Sequence, residues 1–313
     1  MENLIFSLNA VVPLFLIMML GLVLKRRGFI DDVFVENGTK VCFYVALPCL
    51  LFLNIIKSDI SEAFDAPLTI LCVGGTLICV ILLRLFTPFF IKNAASRGAF
   101  IQVCFHSNNV LLGLPFIFNL VGAPGIAKTS TILPFLVPLF NVLAVLVLAE
   151  NQPSGNNMPR LLFKRIATNP LIITALLAVA CSFLPWQLPL LLERPLGYMS
   201  DMAMPLALFT LGASLHLGGE PQAMRLVFSA SLIKLIIMPL IAVLIAYRLA
   251  FDPVQMAVTL AIFAGPPAIS CFPMAFQMGS DHHLTSLIIV LGTGLSAVTM
   301  FGFVYVLRII GLL

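Results

Sequence analysis

The chain has 313 residues, 61% of them hydrophobic and only 10% charged, with a mean hydropathy of +1.11. A soluble domain carries about a quarter charged residues, so this composition excludes an ordinary soluble enzyme or binding module and makes lipid the expected solvent. The net charge of +4 lies in short loops between apolar runs, which leaves nucleic acid no surface to bind and is better read as topology.

About 20 apolar residues span a bilayer, and ten such segments follow one another, near 4–24, 38–56, 66–90, 99–120, 126–150, 166–186, 196–217, 222–250, 254–278 and 281–310. The first is expected to be a retained spanning helix and not a signal peptide: it opens Met-Glu-Asn with no basic stretch, and Lys25-Arg26-Arg27 follow it directly. All seven cysteines lie in apolar runs with no CxxC pair, so they are expected to pack as small hydrophobes. The loop from Glu150 to Arg165 is too short to fold alone. Loops after odd-numbered segments carry ten Lys or Arg residues against five in the even loops and termini, which puts the odd loops in the cytoplasm and both termini outside.

The two halves repeat. "ALPCLLF" (Ala46 to Phe52) answers "AMPLALF" (Ala203 to Phe209), and "NNVLLGLP" (Asn108 to Pro115) answers "PPAISCFP" (Pro266 to Pro273). Pro13 pairs with Pro170, Pro48 with Pro205 and Pro115 with Pro273, at offsets of 157, 157 and 158 residues. Residues 1–150 then form one five-helix unit, 151–165 a cytoplasmic linker and 166–313 a second unit. Because five is odd, the second copy enters from the opposite side, an inverted repeat of the kind secondary transporters use.

The fourth and ninth segments carry the polar content. Asn108-Asn109 precede Pro115, and Gly265-Pro266-Pro267 precede Pro273, at matched positions. Proline within a helix removes a backbone hydrogen bond, so two broken helices are expected to meet near the midplane, with free N–H groups and positive half-helix ends that attract an anion. The expected site comprises Asn108, Asn109, Gly113, Pro115, Gly265, Pro266, Pro267 and Ser270. A pair of Pro-kinked packing helices is the alternative.

Together, "ALPCLLF", "NNVLLGLPF", "MPLALFTLGASL" (Met204 to Leu215) and "AGPPA" resemble the auxin efflux carrier family along essentially the whole chain. The resemblance implies an all-α membrane protein of ten transmembrane helices in a 5+5 inverted repeat, with broken helices 4 and 9 crossing. It also implies an organic anion bound beside the crossover and moved by an elevator-like shift. The chain lacks the long central loop of the plant carriers, and Pro266-Pro267 stand where the first half has Asn108-Asn109, so the halves contribute amides unequally.

Ionisable residues within the spans are few. Asp201 is expected near the outer end of the seventh, so no carboxylate occupies a span centre and sodium/proton antiport loses support. His106 is a candidate proton-coupling group or a hydrogen-bonded packing residue; Lys234 either snorkels to the cytoplasmic interface or contacts substrate. His282-His283 beside Asp281 are poorly spaced for a metal, and no hydrolase or P-loop motif occurs, so neither an enzyme nor a cofactor is expected. The expected function is a secondary carrier of small organic anions in the cell membrane, with a sodium-coupled bile-acid-type symporter, a receptor or a channel as alternatives. Its partners are the anion and the bilayer, with a homodimer left open.

Overall fold

The computed structural model describes residues 2–57, 65–150, 164, 166–182, 188–215 and 221–313, and the regular elements among them are all helices. In chain order they are α1 (Glu2–Arg26), α2 (Asp32–Ile56), α3 (Ala66–Phe90), α4 (Ala94–Phe105), α5 (Leu114–Val121) and α6 (Ala123–Glu150). The second half holds α7 (Pro170–Ser182), α8 (Leu190–Ala213), α9 (Pro221–Leu232, continued by Ile233–Ile237 and Met238–Arg248), α10 (Pro253–Ala264), α11 (Cys271–Gln277) and α12 (His282–Ile309). Five of these, α2, α3, α6, α9 and α12, are long and apolar enough to cross a membrane, and α7 and α10 are shorter apolar helices. The linker expected at 151–165 lies, apart from residue 164, outside the described residues, as do the expected ends of the sixth and seventh segments.

Caps, and not hydropathy, set where several helices begin. Asp31, Asp65, Asn93 and Asp281 each accept a backbone N–H from the first turn of α2, α3, α4 and α12, and Asp252 forms a capping box with Gln255 on α10. As a result α2 starts at Asp32, not near 38, and α4 at Ala94, not near 99. Lys40 and Arg97, two of the ten charges assigned to the odd loops, stand on helices, where Lys40 pairs with Glu36 one turn earlier at 2.6 Å. Likewise α8 begins at Leu190, so Asp201 stands about halfway along it with an exposed side chain, not near its end. His282 and His283 open α12 instead of lying in a loop, and Asp281 is engaged by Ser96 and by the Leu284 N–H.

The helices pack in two groups. α1, α2, α7 and α8 pack mainly on one another, while α3 to α6 and α9 to α12 form the second group. Polar ties at the helix ends hold each group together. Asp65 accepts from Lys128 at 2.5 Å and Gln255 at 2.7 Å, joining the starts of α3, α6 and α10. Burial alone would raise this carboxyl, but Lys128, Gln255 and the Leu68 N–H bring it below its ordinary value. At the opposite end, Ser96 donates to Asp281 and Ser280 to the Ala95 carbonyl, each at 2.7 Å, joining α4 to α12. Lys57 and Glu193 pair at 2.6 Å within the first group.

α1 and α8 cross with their backbones in contact. A Cβ on Gly21 would collide with the Phe209 carbonyl, and one on Gly212 with the Met18 carbonyl. Lipid tails give helices no hydrophobic reason to associate, so close backbone packing over small residues supplies the attraction. Gly212→Ala is therefore expected to destabilise the purified protein by about 1–3 kcal/mol, read as a lower melting temperature in detergent. Gly74→Ala, where a Cβ meets nothing within 4 Å, should leave it unchanged.

Candidate functional site

α4 ends at Phe105 and α10 at Ala264, and the chain then runs extended through His106, with ψ 100°, and Gly265, with ψ 143°. The two extended stretches pair as an antiparallel bridge between Ser107 and Pro267. Asn108 N–H donates to the Pro266 carbonyl at 2.9 Å, and Ala268 N–H donates to the His106 carbonyl at 2.8 Å. The sequence explains this local geometry. A residue before proline is pushed out of the helical region, and Gly265 and Pro266 both precede one. Pro266 and Pro267 also carry no N–H, so the break presents few backbone donors that need partners. Pro115 and Pro273 are not at the breaks: Pro115 is the second residue of α5, directly after the wide turn Asn109–Gly113 whose Asn109 carbonyl accepts from the Leu114 N–H, and Pro273 lies in the first turn of α11, where a missing N–H costs little.

The backbone groups expected to hold an anion are therefore partly engaged: Asn108 N–H and Ala268 N–H bind each other's strand. The side chains are what remain open. His106, Ser107, Asn108 and Asn109 are all buried, yet His106 Nδ1, Asn108 Nδ2 and both amide atoms of Asn109 lack a hydrogen-bond partner within the protein. Groups left in this state cost on the order of 1–3 kcal/mol each and are found where a ligand or water completes them.

These residues line a cavity of about 110 Å³ together with Ser270 and Ala268. Leu47, Leu50, Leu51 and Asn54 of α2, Leu171 of α7 and Met204 of α8 close the other wall. The cavity thus lies between the two helix groups, and a second one of about 320 Å³ shares Asn54, Val110 and Val137 with it and extends to Lys57 and Ser130. The His106 ring stacks on Phe105 at 6.0 Å and meets Phe140 at 5.1 Å between centroids.

The sequence-predicted residues are distributed as follows. His106, Asn108, Asn109 and Ser270 line one cavity, while Gly265, Pro266 and Pro267 form the backbone behind it. Gly113 ends the turn leading into α5 and Pro115 stands within α5; a Cβ on Gly113 would stand 3.6 Å from Asn109 Cβ, an ordinary contact, so the chain's own packing does not demand glycine there. A Cβ on Gly265 would press on the Ala261 carbonyl at 2.8 Å. Lys234 does not snorkel: it is fully buried, and its Nζ donates to Ser107 Oγ. Sequence reasoning left Ser107, Asn54 and Asn141 out of the expected site, and all three line the cavity. The signal was present, since Asn54 and Asn141 are single amides within the apolar runs "LPCLLFLNII" and "PLFNVLAV".

Apolar helices long enough to cross a bilayer, packed around a cavity that holds buried polar groups, are the architecture of a multi-pass membrane protein. The chain belongs to the family described as "Membrane transport protein", which matches residues 6–158 and 144–304, and the resemblance to auxin efflux carriers is borne out. A Methanothermobacter thermautotrophicus protein named "Uncharacterized transporter" is 27% identical over 94% of this chain and 96% of its own length. A Rhizobium meliloti protein named "Putative malonate transporter" is 24% identical over 85% of this chain and 84% of its own. An uncharacterized transporter of Methanocaldococcus jannaschii is 25% identical over 88% and 90%. Family and relatives are transporters, not enzymes.

The unpartnered amides predict a separation between binding and folding. Asn108→Ala and Asn109→Ala are each expected to weaken affinity for a transported anion about ten- to a hundredfold. The melting temperature should change little, because each substitution removes a group that has no partner to lose. Isothermal titration and thermal melts on the same purified variants check this; a lower melting temperature with intact affinity would mark the pair as packing residues.

Proposed function

We propose that the protein is a secondary carrier of small organic carboxylates, with the substrate held in the cavity between the helix groups. The observation that carries this reading is the pair of buried, unpartnered amides at the break after α4, in a lining whose described residues include no carboxylate. Amide and hydroxyl donors with no fixed negative charge favour an anion over a cation. The relative named "Putative malonate transporter" supports a short carboxylate, with malonate as the first to test.

In this reading the chain has ten spans in two inverted five-helix repeats, 1–150 and 166–313, joined by a cytoplasmic linker at 151–165, with both termini outside. The fourth span is α4 plus α5 and the ninth α10 plus α11, and the substrate-binding set is Asn108, Asn109, Gly113, Pro115, Gly265, Pro266, Pro267 and Ser270. The matched lengths of α4 and α10, 12 residues each, support the repeat. Alternating access is an elevator-like slide of the second helix group along the first. The apolar character of the contact supports this, with Leu47, Leu50, Leu51 and Met204 facing Val137 and Phe140 across the cavity. An apolar surface has no directional bonds to break when it slides.

Reconstituted protein is expected to catalyse saturable counterflow of labelled malonate without sodium. Sodium-dependent uptake would favour the symporter reading, non-saturable flux a channel, and binding without flux a receptor. His106, the imidazole that lines the cavity, is the proposed proton-coupling group. His106→Gln, which retains hydrogen bonding and loses titration, should flatten the pH profile of that counterflow; an unaltered profile would make the residue structural.

A further inference from the structure

We propose that Lys234 is the resident counter-charge of the substrate and acts on it through Ser107; this rests on the carboxylate-carrier reading above. Lys234 occupies the wide turn Ile233–Ile237 in the middle of α9, and its side chain is 0% exposed. A π-turn adds one residue to the helix and re-aims the side chains around it, a distortion frequent at functional sites. Here the ammonium reaches across to the break after α4, where Nζ donates to Ser107 Oγ. Among the described residues, no carboxylate forms an ion pair with it. The groups close enough to feel its field are the thiols of Cys79, Cys104 and Cys271 and the imidazole of His106.

An ammonium taken out of water without a carboxylate is among the costliest arrangements a membrane protein can hold, and such charges mark pathways for ions and substrates. Ser107 shows where this charge is directed. Its hydroxyl oxygen accepts from Lys234, which leaves the O–H free to donate, and Ser107 lines the cavity whereas Lys234 stands behind it. A hydroxyl polarised by a cation is a stronger donor than a free one. One carboxylate of the substrate therefore binds at Ser107, while the Asn108 and Asn109 amides, unpartnered a residue or two further on, take its remaining oxygens. Lys234 is in this sense a positioning residue whose charge selects anions without touching them.

The test measures malonate binding by isothermal titration to the full-length protein in detergent, for wild type, Lys234→Met, Ser107→Ala and the double variant. Each single change should weaken malonate about ten- to a hundredfold, and the double variant no more than the weaker-binding single one, because both remove the same relay. The preference for malonate over its neutral diamide, malonamide, should fall in Lys234→Met, a ratio that loosened packing alone would not move. An unchanged dissociation constant in Lys234→Met, or additive losses in the double variant, overturns the proposal. If Lys234→Met does not fold, Ser107→Ala decides it: a tenfold loss supports the relay and unchanged affinity overturns it. Wild-type protein that binds neither malonate, succinate nor acetate would overturn the carboxylate reading and this inference together, whereas binding indifferent to Lys234 overturns this inference alone.

Discussion

Two backbone hydrogen bonds, Asn108 N–H to the Pro266 carbonyl and Ala268 N–H to the His106 carbonyl, are what the rest of the structure depends on. A hydrocarbon interior offers no water to an interrupted helix, so each break would expose peptide groups at a cost of several kcal/mol or so. Two breaks brought together satisfy part of each other's need, through the Asn108 and Ala268 N–H groups. Neither α4–α5 nor α10–α11 could be interrupted alone without leaving these peptide groups open, and their pairing brings the two halves of the chain together at one point.

Where the backbone of the breaks is paired, the side chains beside it are not. His106, Asn108 and Asn109 are buried with open polar atoms, and Lys234 is buried with a serine hydroxyl as its hydrogen-bond acceptor. These groups lower stability, and the remainder of the fold offsets them with capped helix starts, end-to-end ties such as Asp65 with Lys128, and backbone contact at Gly21 and Gly212. Polar groups held unsatisfied in a rigid frame lose little freedom when a ligand arrives, which is the physical basis of pre-organised recognition.

The position of the cavity gives that recognition a use. One wall comes from α2, α7 and α8 and the other from the breaks and α6, so the ligand would sit on the contact between two groups of helices and not inside either. Each group has its own polar ties at its ends, such as Lys57 with Glu193 in one and Ser96 with Asp281 in the other. Under the proposed mechanism, such ties let each group move as a body while the apolar contact between them shifts.

Composition alone determined that the chain lives in lipid, because backbone groups there must close on themselves and only apolar helices of this length do so. The placement of most helices followed from the same runs, and α3 coincides with its predicted span, 66–90. The polar cluster at 106–109 was legible too, since polar residues in an apolar run are conspicuous. Helix starts were not: α2 and α4 begin before the apolar runs, because capping by Asp31 and Asn93 is a local hydrogen-bond event to which hydropathy is blind. Nor was the environment of Lys234, since a lysine twelve residues past the start of its span (222–250) reads the same whether it snorkels or turns inward. Only the tertiary structure decided that, by packing α9 against the break after α4 so that residues 127 positions apart share one hydrogen bond. It also decided that the breaks engage their own N–H groups and leave the side chains open, because which polar groups find partners depends on what lies opposite, and sequence spacing carries no record of that.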